Sequence, residues 1–137
     1  MVRHRTLRRM VRLLVTGGAG FIGAHCARMA LEQGHEVTVL DDLSSGVESR
    51  LEALTAQGAR TVVGDLRDAT ARAKALEGVD AVVHLAAQGS VPRSVEDPQG
   101  TLDVNVHGTN APLEDMAALG IHRIVLASSA AVYGDVE

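Results

Sequence analysis

Five short apolar runs alternate with longer stretches of helical character: RLLVT (12–16), EVTVL (36–40), RTVVG (60–64), DAVVHLAA (80–87) and HRIVLAS (122–128). That alternation constrains the fold more than any other feature. A strand that feeds a helix and then another strand closes a right-handed crossover, and repeated crossovers build a parallel sheet. Helices are expected through about Gln33, over 47–57 and over 69–78. A longer one should run from about Thr101 to Leu119 after a polar loop. Pro112 falls inside it and predicts a kink or break, because proline lacks the N–H and crowds the preceding turn. Gly58 should end the second helix, where glycine tolerates the left-handed backbone. The expected fold is α/β, a doubly wound parallel sheet in the order 3-2-1-4-5.

A chain of 137 residues makes one domain of ordinary size. Residues 11–137 are read as that domain, and residues 1–10 as a basic extension. Phe21 and Tyr133 are the only aromatic side chains. The core must therefore come from Val, Leu, Ile and Ala, which suits strands buried on both faces. No apolar run is long enough to span a membrane, and a net charge of −4 gives no reason to expect nucleic acid. Cys26 is the only cysteine, so no internal disulfide can form and a reducing cytoplasm is the default compartment. On its expected helix it reads as a small buried hydrophobe. The first twelve residues hold five arginines, and the first acid is Glu32. A strand follows too soon to leave much room for a cleaved targeting segment. A disordered extension is expected, or a start at Met10.

In open sheets of this kind, ligands bind beyond the carboxyl ends of the strands, where the strand order reverses. The chemically suggestive residues lie at those ends. Between strand one and its helix, VTGGAGFIG places Gly17, Gly20 and Gly23. A pyrophosphate needs backbone N–H groups aimed at it from a helix N-terminus, with no side chain in the way. Gly17 permits the tight turn, Gly20 the close approach, and Gly23 the packing of helix on sheet. Such glycines can also simply make a turn. Asp41, at the end of strand two, stands where a dinucleotide offers its adenosine ribose; a carboxylate there accepts from the diol and repels a 2′-phosphate. Its other reading is a cap or a solvated acid, and Asp42 beside it is ambiguous. Asp65 and Leu66 in GDLRD could meet an adenine, or Asp65 could cap the next helix. The six histidines show no metal-ligand spacing; His84 and His107 read as structural.

In this order and spacing, VTGGAGFIG, VTVLDDLSSG, GDLRD, VVHLAA, NVHGT and LASSAAVYG resemble the extended short-chain dehydrogenase/reductases. The likeness is greatest to their NAD-dependent epimerase/dehydratase branch, over about residues 11–135, with DDLSSG and SSAAVYG nearer the UDP-glucose 4-epimerases. The resemblance implies a Rossmann-type fold and NAD as cofactor. It implies that Gly17, Gly20, Phe21, Ile22 and Gly23 cradle the pyrophosphate and that Asp41 takes the ribose. Asp65 and Leu66 would hold the adenine, with Leu85, Ala86 and Ala87 along the dinucleotide. Asn105 would lie near the cofactor, and Ser129 would bond the reacting sugar oxygen. In that family a Tyr-x-x-x-Lys pair moves the proton while a hydride passes to NAD. No such motif occurs here, and Tyr133 belongs to VYG. The loop AQGSVPRS also lacks the lysine that well-known epimerases carry near Gly89. The chain is thus expected to be the first part of such an enzyme, cut after strand five and inactive alone. A non-enzymatic NAD-responsive module, or a gene fragment without settled function, are the other readings. Strand five should then be an exposed edge open to self-association.

Overall fold

The computed structural model describes residues 9–134; most of the basic extension, residues 1–8, lies outside them. Five strands form one parallel sheet: β1 Arg12–Thr16, β2 Glu36–Asp41, β3 Arg60–Val63, β4 Ala81–His84 and β5 Ile124–Leu126. Their order is β3-β2-β1-β4-β5, as the alternation of runs implied. β1 lies at the centre, with Val15 opposite Val39 on one side and Val83 on the other.

Successive residues of a strand face opposite sides of a sheet, so each buried strand feeds two cores. Leu14, Leu40 and Val82 face one side, where α3 (Ala69–Leu76) and α6 (Gly108–Leu119) cover them with Leu76 and Met116. Val15, Val37 and Val39 face the other, under Ala27 of α1 (Phe21–Glu32) and Leu51 and Leu54 of α2 (Glu48–Ala56). Full burial of a Leu or Val contributes about 1.5–3 kcal/mol. A core of aliphatic side chains on both faces therefore suffices without aromatics. Cys26 is only partly buried, so it sits on the flank of α1 instead of within this core.

The second half departs from expectation. The polar loop contains two short helices, α4 (Val91–Glu96) and α5 (Pro98–Leu102). Each carries start signals visible in the sequence: Ser90 and Asp97 cap them, and Pro92 and Pro98 sit in their first turns. One turn of π-helix, Asp103–His107, then leads into α6. Pro112 lies inside α6, and the irregular turn is upstream of it. The missing N–H of Pro112 leaves the Gly108 carbonyl without its usual partner, and Gly108 is where the π turn ends. Strand four stops at His84, and Leu85–Ala87 leave the ladder to form the rim of the sheet. His107 lies on the surface, where its Nδ1 faces Asp103 Oδ1 one turn back at 3.1 Å, a local structural contact within the π turn.

Candidate functional site

The carboxyl ends of β1 and β2, with the segments after β3 and β4, surround a cavity of about 140 Å³. Gly17, with φ +70°, turns the chain out of β1. Any Cβ on Gly17 would lie 2.8 Å from the Ala86 nitrogen, and one on Gly23 would lie 2.1 Å from the Gly17 carbonyl oxygen. The glycines are thus required by contact between the loop, α1 and the strand-four exit. Gly20 is the N-cap of α1 and supplies no side-chain cap, so the first N–H groups of the helix remain available to an anion.

Asp41 ends β2 and is 9% exposed. Its Oδ2 accepts from the Ala19 N–H at 2.9 Å and its Oδ1 from the Leu43 N–H at 2.8 Å. The carboxylate is neither a helix cap nor a solvated acid; it latches the glycine loop to the loop after β2. Asp42 accepts from both the backbone N–H and the hydroxyl of Ser44, which shapes that same loop. Above Asp41, the Ala19 carbonyl accepts from Val47 N–H at 3.1 Å and from Arg50 Nη1 at 3.0 Å.

Asp65 and Leu66 both line the cavity. The helix after them is capped by Asp68, whose side chain accepts from Thr70 N–H, and so the capping alternative for Asp65 falls. Asp65 instead grips Arg67 through its backbone N–H and guanidinium. That guanidinium holds the Asp65 carboxyl below the usual carboxylate range. Leu66 is fixed from behind: buried Arg72 donates to its carbonyl at 3.0 Å and pairs with Asp115 of α6 at 2.6 Å.

Leu85, Ala86 and Ala87 form the opposite wall. Asn105 does not line the cavity. It clasps the backbone of Gln88, its Oδ1 accepting the N–H at 2.7 Å and its Nδ2 donating to the carbonyl at 3.1 Å. Phe21 and Ile22 are 69% and 63% exposed and stand outside the cavity lining, beside the start of α1. Ser129 is also exposed; its hydroxyl accepts from Ala131 N–H and caps the 3-10 turn Ala130–Tyr133. Sequence reasoning did not name Leu40, Ser44, Ser45, Gly46, Gly64, Arg67, Val104 or Gly108 as site residues, and all of them line the cavity. Ser44, Ser45, Gly46, Gly64 and Arg67 were legible in principle, since they stand in DDLSSG and GDLRD beside Asp41 and Asp65. Gly108 stands in NVHGT, whereas Val104 carried no local signal.

Known proteins resemble this chain in sequence and fold. UDP-glucose 4-epimerase of Neisseria meningitidis serogroup C is 41% identical over 131 residues, covering 92% of this chain and 39% of that protein. The structure of UDP-glucose 4-epimerase from Stenotrophomonas maltophila, with bound NAD and formylated UDP-arabinopyranose, superposes with a TM-score of 0.85 at 36% identity. It is matched over 93% of this chain and 39% of its own. A dTDP-glucose 4,6-dehydratase from Streptomyces venezuelae, solved with NAD and TYD bound, gives a TM-score of 0.85 at 42% identity, over 92% of this chain and 42% of its own. The likeness thus extends to dehydratases as well as epimerases, and the chain spans about two fifths of these relatives' length. The NAD dependent epimerase/dehydratase family matches residues 13–137, which include the glycine loop, Asp41 and every wall of the cavity, and the chain belongs to that family.

Proposed function

We propose that this chain is the NAD-binding portion of a nucleotide-sugar epimerase or dehydratase, acting in the cytoplasm. The observation that carries the reading is the convergence of Asp41 and the uncapped start of α1 on one cavity, across a loop where side chains would collide. The pyrophosphate would lie over Gly17, Gly20 and Gly23, flanked by Phe21 and Ile22. Each Asp41 oxygen already accepts one N–H and keeps a lone pair, so the two ribose hydroxyls can be received without breaking the latch. A 2′-phosphate would meet Asp41 and Asp42, which favours NAD over NADP. Asp65 and Leu66 would take the adenine, and Leu85–Ala87 would run along the dinucleotide. Asn105 would act indirectly, by holding Gln88.

When bound, NAD supplies the hydride acceptor for oxidation of a sugar hydroxyl. Ser129 would orient that hydroxyl in a UDP-sugar. Tyr133 is the sole tyrosine and Lys74, in α3, the sole lysine, so these residues hold no Tyr-x-x-x-Lys pair. We therefore expect this chain alone to bind the cofactor without epimerising UDP-glucose or UDP-galactose. Calorimetry with NAD, NADP and ADP-ribose tests the reading: NAD and ADP-ribose should bind comparably and NADP more weakly. No binding of any of the three would overturn it. Turnover in a preparation free of host epimerase would refute the expected inactivity.

A further inference from the structure

Thr16, the last residue of β1, is fully buried, and its hydroxyl oxygen has three partners. It accepts from the N–H of Leu85 at 3.1 Å, which is shared with the Thr16 carbonyl at 3.3 Å, and from that of Ala86 at 3.2 Å, and it faces His84 Nδ1 at 2.9 Å. With two N–H groups directed at its lone pairs, the hydroxyl is set to give its own proton to Nδ1. Nδ1 is then bare, and a neutral imidazole carries its hydrogen on Nε2. Nε2 lies 3.1 Å from Thr109 Oγ1, and the Thr109 hydroxyl donates to the Asn105 carbonyl at 2.8 Å. Backbone N–H groups stand at one end of this chain and a carbonyl at the other. Those two ends set the direction of every proton between them. A hydrogen on Nδ1, in the other tautomer or in the imidazolium, would point at an oxygen that two N–H groups already face.

The chain ends where the cavity wall begins. Thr16 precedes Gly17 and tethers Leu85 and Ala86, while Asn105 clasps Gln88. The wall segment 85–88 is thus anchored at both ends, and His84 with Thr109 joins the anchors. We propose that His84 is a positioning residue for the dinucleotide site, acting as the neutral Nε2–H tautomer that locks Thr16 and Thr109 into one hydrogen-bond relay. Burial pushes its pKa down, in keeping with a permanently neutral ring. The ligand in this inference is the NAD of the proposed function; the relay itself is independent of it.

Nitrogen NMR of the chain at neutral pH should find His84 with a bare Nδ1 and a protonated Nε2. The Thr109 hydroxyl bonds His84 and the Asn105 carbonyl and not the N–H of Leu85 or Ala86, so Thr109→Val tests the coupling. Amide exchange at Leu85 and Ala86 should accelerate, and NAD affinity should fall about tenfold, the scale of one lost hydrogen bond. Thr109→Ser, which keeps the hydroxyl, should restore both. A hydrogen on Nδ1 would overturn the proposal. So would unchanged exchange at Leu85 and Ala86 in Thr109→Val, or accelerated exchange with undiminished NAD affinity. If the unaltered chain binds no NAD, the cofactor reading fails, and the tautomer and exchange measurements still decide the relay.

Discussion

The carboxylate of Asp41 holds the backbone N–H of Ala19 at 2.9 Å, joining the end of β2 to the apex of the glycine loop. Its other oxygen holds Leu43, the one non-glycine residue among those described with a positive φ, at +61°. A bulky side chain in that region is strained, and the Asp41 bond is what compensates it. The acid expected to receive ribose is therefore also the latch that shapes the site.

Substitution of Asp41 should reveal that double role. Asp41→Ala is expected to weaken NAD binding by about 1–3 kcal/mol, the scale of a lost charged acceptor. Asp41→Asn should be at least as damaging, because its NH₂ must face the N–H of either Ala19 or Leu43. Calorimetry that finds wild-type affinity in the Asn variant would remove Asp41 from the site.

Gly23→Ala places a Cβ against the Gly17 carbonyl, a backbone atom that cannot swing aside. The expected cost is about 1–3 kcal/mol, as for overpacking in a core, together with loss of NAD binding as α1 is pushed off the loop. Gly89→Ala is the control, since nothing lies within 4 Å of its Cβ position. Urea unfolding of the two variants should separate them clearly, and equal stabilities would show that the loop yields.

Stability should fall with acid in two stages. Burial lowers the pKa of His84 from its ordinary 6.5. Below that value the unfolded chain binds a proton that the folded chain refuses, and unfolding free energy drops until the folded pKa is reached. Asp65 is depressed from 3.8 by Arg67, so its contribution is present above that value and disappears as pH falls through the lower folded pKa. Urea titrations stepped from pH 7.5 to about 3 should show both stages. A flat profile between pH 7 and 5.5 would mean that His84 is not held neutral.

Strand β5 occupies the sheet edge and, among the described residues, pairs only with β4. Val125 is 64% and Leu126 54% exposed there. Edge strands with apolar side chains pair readily with other chains, and an edge lysine blocks them. At micromolar concentration the chain is expected to self-associate, and Val125→Lys should reduce this. Because Val125 already meets solvent, the substitution should change stability by no more than about 0.5 kcal/mol. Analytical ultracentrifugation showing a dilution-insensitive monomer before substitution would rule out the edge as a liability.

The order of the strands, the glycine turn and the place of Asp41 were legible in the sequence because each rests on local pattern. Aliphatic runs of strand length, separated by helix-length stretches, leave few parallel arrangements, and strand ends in such a sheet gather on one edge. The short helices α4 and α5 were legible too, through Ser90, Asp97 and their prolines, had those signals been weighed against the polarity of the segment. Other features depended on residues far apart in the chain. Thr16 and His84 are 68 positions apart, Arg72 and Asp115 are 43 apart, and Asn105 finds Gln88 across 17. Periodicity tells which face of a strand or helix is buried. It does not tell which polar side chains meet once sheet register and helix rotation are set. Asp68 rather than Asp65 became the helix cap, and Asn105 became a clasp on the wall instead of part of it. The tertiary structure decided these, because a hydrogen bond depends on ångström distances and on which neighbour has a lone pair left to give.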